Sequence, residues 1–186
     1  LPDLQRPFVW PTAKVRDLFD SMYKGYPVGE LMFWDVSEAH ATRSIAGEAQ
    51  IAATHQIVDG QQRLTSLFAA IKGLPVRDES YKSKQITISF NPFTEKFEVR
   101  TLAIARSANG VEDISTVFKS AIDAFEDFAE RYENSGNELE KELRRHRQRK
   151  FHRLDSLGSY QFQVVHIQQE VPKRIVADVF VRINSE

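Results

Sequence analysis

The sequence contains no cysteine, which excludes disulfides, thiolate metal sites and cysteine nucleophiles within the chain. No apolar run approaches the roughly 20 residues of a membrane span, and no signal-like segment opens the chain. An excess of either charge is also missing. Against 26 Asp+Glu stand 25 Lys+Arg, a formal net charge of −1, so the domain as a whole is not a basic nucleic-acid binder and any such contact falls to a local patch. There is no glycine-rich Walker loop and no His-Asn-His nuclease constellation. The five histidines (His40, His55, His146, His152, His166) show neither an HExxH pair nor zinc-ligand spacing, so a structural metal is not expected. A reducing, cytoplasmic setting is expected.

A hydrophobic share of 41% with thirteen phenylalanines is ample for one packed core. Leu1 to Pro11 holds three prolines and reads as extended chain. Thr12 is positioned to cap a helix carrying Val15, Leu18, Phe19 and Met22 at helical spacing, ended by Gly25-Tyr26-Pro27. Leu31 to Val36 reads as a strand, residues 37 to 55 as a loop, Gln56 to Val58 as a second strand, and Gln61 to Lys72 as a helix stopped by Gly73 and Pro75. Gln85 to Phe90 and Phe97 to Arg100 predict a hairpin around Asn91-Pro92. Helices are expected over Glu112 to Tyr132 and Glu138 to Leu157, a strand over Tyr160 to Ile167, and a last helix opened by Pro172. The sum is an α+β fold: one domain over residues 1–186, with a small mixed sheet, packed helices and a helical insertion at about 112–157.

The chemistry concentrates in Val58 to Leu67, VDGQQRLTSL. A short strand runs into Asp59-Gly60, and Gln61, Gln62 and Arg63 crowd the start of a helix. Unpaired N–H groups and the positive dipole end suit an anion there, and a guanidinium able to bind two oxygens makes phosphate the natural guest. Asp59 is also a good N-cap and Gly60 a good turn residue, which is the ordinary structural reading. Phe8 and Trp10 read as core anchors, with stacking on a nucleobase the alternative. Arg144, Arg145, Arg147, Arg149, Lys150 and Arg153 form the densest basic stretch. Preceded by Glu138, Glu140 and Glu142, it reads as a solvated helix with i, i+4 pairs such as Glu140 with Arg144; contact with DNA phosphates is the second reading.

Three separated segments share one pattern: Gln5-Arg6-Pro7-Phe8-Val9-Trp10, Ile57 to Leu67, and Val179-Phe180-Val181-Arg182-Ile183-Asn184. With Gly25-Tyr26-Pro27-Val28-Gly29 they resemble the DGQQR-motif family, the N-terminal domain of GmrSD-type modification-dependent restriction enzymes and of SspE-like phage-defence proteins, within the ParB/sulfiredoxin-like superfamily. The resemblance implies a domain that binds and hydrolyses a nucleoside triphosphate (GTP, ATP or CTP) with Mg²⁺ and regulates a nuclease elsewhere in the same protein. It implies nucleotide-binding roles for Gln5, Arg6, Gly60, Gln61, Gln62, Arg63, Arg182 and Asn184, with Arg63 and Asp59 catalytic. Asp59 is then the residue to hold Mg²⁺ or orient the attacking water, and Gly60 lets the backbone approach the phosphates. DNA contact by Arg144, Arg145, Arg147, Arg149 and Lys150 follows from the need to meet DNA somewhere. The chain begins without Met and stops inside the last motif, so a longer protein with a C-terminal nuclease domain is expected, and self-association is an open expectation. Two other readings stand beside this one: a DNA-binding or modified-base-sensing module without turnover, and an interaction domain that holds nucleotide as a structural ligand.

Overall fold

The computed structural model describes residues 7–36, 41–44, 47–52 and 55–183. In chain order the elements are α1 (Thr12–Lys24), β1 (Leu31–Asp35), β2 (Ala41–Ser44), β3 (Gly47–Ala52), β4 (His55–Asp59), α2 (Gln61–Lys72), β5 (Val76–Arg77), β6 (Ser83–Lys84), β7 (Ile88–Asn91) and β8 (Lys96–Val99). Then follow α3 (Leu102–Arg106), α4 (Ser115–Lys119), α5 (Ala121–Asn134), α6 (Lys141–Asp155) with a 3₁₀ turn at Ser156–Ser159, β9 (Val164–Ile167) and α7 (Lys173–Ile183). The α+β expectation holds. No helix among the described residues is long and apolar enough to cross a membrane.

A continuous apolar cluster gathers α1, α2, the β7–β8 hairpin and α4 to α6. Helix α1 presents Val15, Leu18, Phe19, Met22 and Tyr23 on one buried stripe, as their spacing predicts. Phe19 stacks on Phe97 with centroids 6.2 Å apart, and Tyr23 meets Phe90 at 5.4 Å. Phe151 of α6 packs edge-on against Phe125 at 5.3 Å and against Phe128 at 5.5 Å, both on α5. Residues from 112–157, Phe125, Phe128, Phe151 and Leu154 among them, thus belong to the same core as α1 rather than to a separate one.

The mixed sheet has the order β4-β1-β9. Strand β1 pairs antiparallel with β4 and parallel with β9. Its buried residues Leu31 and Val58, with Val176 of α7, lie outside the main cluster. The sheet is therefore packed separately, and the β4–α2 junction joins it to the main core.

Several local expectations change. Thr12 is the first helical residue and Pro11 the N-cap, in extended conformation; its carbonyl accepts from Lys14, and proline has no side-chain acceptor with which to cap the helix. Residues 41–44 and 47–52, expected as loop, are strands: β2 and β3 pair antiparallel, Ala41 opposite Ala52 and Thr42 opposite Ile51. The Ala, Ser, Thr and Gly content of residues 37 to 55 reads as loop and outweighed the brief alternation Glu48-Ala49-Gln50-Ile51. The helix expected over Glu112 to Tyr132 breaks at Ser120, which closes α4 and caps α5 by accepting from the Asp123 N–H at 3.2 Å. Short α3, β5 and β6 were not anticipated.

The β7–β8 turn holds Glu95, at φ 55°, where three elements meet. Lys150 Nζ donates to its Oε1 at 2.7 Å and Tyr23 Oη to its Oε2 at 2.9 Å, and Arg153 lies 3.3 Å from the same Oε2. The Lys150 bond chiefly, then those of Tyr23 and Arg153, holds the Glu95 carboxyl below its usual range against partial burial. A carboxyl depressed in the folded state contributes stability above its unfolded pKa, which is lost as pH falls through the folded value. Glu95→Gln should lower unfolding free energy by about 1–2 kcal/mol at pH 7, after allowance for solvent screening. Urea melts at pH 7 and pH 4 check this: the wild type should lose more stability between them than the variant, and equal losses would contradict the assignment.

Candidate functional site

Strand β4 delivers Asp59 to the β4–α2 junction and Gly60 turns the chain. Gly60 adopts φ 92° and is the N-cap of α2, so the helix start carries no side-chain cap. A Cβ at Gly60 would stand 2.3 Å from Leu31 Cδ2. Glycine is needed both for the left-handed conformation and for the approach of β1, a reason closer to hand than an approach to phosphate.

The Asp59 carboxylate does not cap the helix. Its Oδ2 accepts from Arg63 Nη2 at 2.8 Å, an i, i+4 ion pair, with side-chain exposures of 28% for Asp59 and 13% for Arg63. The other end of the guanidinium, Nη1, donates to the Val28 carbonyl at 2.9 Å. Gly29 follows at φ 83°, where a Cβ would stand 2.5 Å from Arg63 Nη1. The 25–29 turn is thus shaped around the arginine. Of the five N–H donors of a guanidinium, these two bonds fix its plane.

Gln62 serves the chain itself. Its Nε2 donates to the Pro7 carbonyl at 3.0 Å, and its Oε1 accepts from the Val9 N–H at 3.0 Å. The amide holds the incoming N-terminal segment as a strand neighbour would. Phe8 beside it is 4% exposed and sits in the main cluster, so its anchoring role holds, and Trp10 packs against the same cluster. Gln61 opens the helix, partly exposed. Arg182 lies exposed in the last turn of α7. Gln5, Arg6 and Asn184 lie outside the described residues. The structure therefore brings Asp59, Gly60, Gln61, Gln62 and Arg63 together at one helix start, and adds Val28 and Gly29, which the sequence marked only as part of a shared pattern.

The family description that matches is that of the GmrSD restriction endonuclease, N-terminal domain, and the match runs over residues 1–186. The chain belongs to this family. No curated protein matches it as a relative. The GmrSD-type N-terminal domain is thus a restriction-associated domain whose DGQQR segment forms a strand-to-helix junction.

In this GmrSD-type domain the basic stretch on α6 is turned largely inward. Arg144 pairs with Glu126 and Glu133 of α5 rather than with Glu140 on its own helix, as sequence spacing predicted. Arg147 donates to the Pro92 carbonyl at 3.0 Å and lies 4.4 Å over the Phe93 ring. Lys150 is bound to Glu95, and Arg153 donates to the Tyr23 carbonyl at 2.6 Å over the Tyr23 ring. Arg145 and Arg149 remain exposed. Helix α6 uses most of its cations to dock on the hairpin and on α5.

The histidines also depart from expectation. Spacing offered no ligand set, yet the sheet brings His55 and His166 to one carboxylate, Asp35. Only strand pairing could reveal this, since Asp35 and His166 lie 131 positions apart.

Two substitutions test the junction. Gly60→Ala meets both the left-handed φ and Leu31, and should cost about 2–4 kcal/mol in a denaturant melt. Gln62→Ala removes two solvent-accessible bonds and should cost only about 1 kcal/mol, while speeding hydrogen exchange at the Val9 amide. A Gly60→Ala protein as stable as wild type, or an unchanged Val9 rate in Gln62→Ala, would contradict the assigned roles.

Proposed function

We propose that the β4–α2 junction binds a nucleoside triphosphate with Mg²⁺ and hydrolyses it, and that this cycle regulates a restriction nuclease carried elsewhere in the full protein. The observation that supports this most is an uncapped helix start with a fixed arginine in its first turn. The N–H groups of Gln62 and Arg63 lie at the positive end of the α2 dipole, with glycine at the N-cap in place of a residue with a capping side chain. A phosphate would supply the cap. Arg63, held on two sides, needs little reorganisation to meet it, and preorganised charge is what phosphoryl transfer demands of a protein.

On this reading Asp59 has two tasks. One oxygen orients Arg63; the other would serve as a hard ligand for Mg²⁺, which is commonly held by one or two carboxylates. When bound, the ion neutralises charge on the phosphates. Pro7 sits on Gln62, so Arg6, next in the chain, is the natural second cation, with Gln5 beside it. Arg182 and Asn184 would close the site from the end of α7. On this reading the domain is ParB-like, and an intracellular setting fits a role in restriction.

Binding of labelled GTP, ATP and CTP with and without Mg²⁺ tests the proposal directly. One of the three should bind, tighter with Mg²⁺, and Arg63→Ala should weaken it by about 10- to 100-fold, the loss of one or two charge-assisted bonds. Asp59→Ala should abolish the Mg²⁺ enhancement and hydrolysis by the full-length enzyme. Circular dichroism of both variants separates lost binding from lost folding. Unchanged affinity in a folded Arg63→Ala protein would overturn the proposal.

Exposed Arg145 and Arg149 keep DNA contact within reach of this same domain. If they meet phosphates, Arg145→Gln with Arg149→Gln should reduce the log–log salt slope of DNA binding by about 2, close to 0.9 per contact. An unchanged slope would return α6 to a purely structural role.

A further inference from the structure

We propose that Asp35, His55 and His166 form a binding site for one divalent transition-metal ion of the Zn²⁺ class, separate from the β4–α2 junction. Pairing places them together. Asp35 is opposite His55 in the antiparallel β1–β4 ladder, and Phe33 is opposite His166 in the parallel β1–β9 ladder. Phe33 and Asp35, two apart on one strand, share a face, so His166 reaches along that face to Asp35. The result is His166 Nδ1 at 3.1 Å and His55 Nε2 at 3.3 Å from the same oxygen, Asp35 Oδ1. All three candidate ligand atoms lie within 4.8 Å of one another.

These separations suit an ion as well as hydrogen bonds. Around a tetrahedral metal with bonds of about 2.0–2.2 Å, neighbouring ligand atoms lie roughly 3.3–3.6 Å apart. The Asp35 separations, 3.1 and 3.3 Å, lie just under and at the short end of that range, so binding an ion asks for only a small outward shift. The rings are preset: His55 and His166 meet edge-to-face at 5.6 Å, and Phe33 stacks on His166 at 6.1 Å. Two imidazoles and one carboxylate, with no thiolate, favour Zn²⁺, Co²⁺, Ni²⁺ or Fe²⁺ over Mg²⁺ or Ca²⁺. Exposures of 37%, 49% and 52% leave the remaining coordination positions to water.

The site also answers a structural need. Strand β9 is an edge strand whose Val164 and Val165 are exposed, so little apolar burial holds it. A metal bound here would tie β1, β4 and β9 together, at the opposite end of β4 from Asp59. It would stabilise the sheet without touching the nucleotide phosphates.

The test uses the whole chain freed of metal by chelation and titrated with ZnCl₂ or CoCl₂. One equivalent should bind, and Tm should rise by about 5–10 °C at a hundredfold excess over Kd. Co²⁺ should give a visible ligand-field band. His166→Ala and Asp35→Asn should each weaken binding at least tenfold while the metal-free Tm stays near wild type, as half-exposed positions allow. Histidine side-chain NMR of the wild type makes the result independent of variant folding: Zn²⁺ should move the His55 and His166 resonances and leave His146 and His152 in place. Absence of saturable binding, equal affinity in folded variants, or unmoved His55 and His166 signals would overturn the proposal and leave a hydrogen-bonded triad only.

Discussion

Arg63 leaves the first turn of α2 and reaches back over the strand end it has just followed, where Asp59 holds one side of its guanidinium and the Val28 carbonyl the other. Three parts of the chain depend on this one group. The end of β4 is pinned by Asp59, the turn after α1 is folded around it with Gly29 in a conformation no other residue adopts cheaply, and α2 takes its direction from both. Gln62, one residue earlier, ties the N-terminal segment to the same turn. A charge with only 13% of its side chain exposed must be paired and bonded to be tolerated, and Arg63 meets this with one carboxylate, Asp59, and one backbone carbonyl, Val28. The same constraint that joins the two packing units fixes a cation in the first turn of α2.

That dual use explains the composition of the segment. A helix start serving stability alone would carry Ser, Thr or Asp as a cap and acidic residues in its first turn. Here the cap is Gly60, the first turn has no acidic residue, and the one nearby carboxylate is diverted to Arg63. Stability is recovered elsewhere, by the phenylalanine packing between α1, the hairpin, α5 and α6 and by the Glu95 network that docks α6. The basic stretch of α6 shows the converse: a sequence that looks made for an outside partner is mostly consumed inside the fold.

How much was legible in the sequence follows from which interactions are local. The extent of α2, the β7–β8 hairpin and the stripe of α1 are encoded in spacing and in Gly and Pro punctuation, and they were readable. The DGQQR residues were readable as a cluster because they are consecutive. Their partners were not: the Val28 and Pro7 carbonyls are backbone atoms of unremarkable residues, and no side-chain chemistry announces them. The β2–β3 hairpin was missed because its Ala, Ser, Thr and Gly content reads as loop and its alternation is only four residues long, and the break at Ser120 because capping interrupted an otherwise continuous apolar period. Asp35, His55 and His166 meet through strand register alone. Gln5, Arg6 and Asn184, central to the family resemblance, lie outside the described residues.

Amide-resolved hydrogen exchange of the domain, with and without the preferred nucleoside triphosphate and Mg²⁺, reports most directly on whether the Arg63 junction is the phosphate site. The account predicts slowed exchange at the Gln61, Gln62 and Arg63 amides, with the sheet end at His55 and His166 unchanged. Protection elsewhere in the chain, with those three amides exchanging as before, would contradict it.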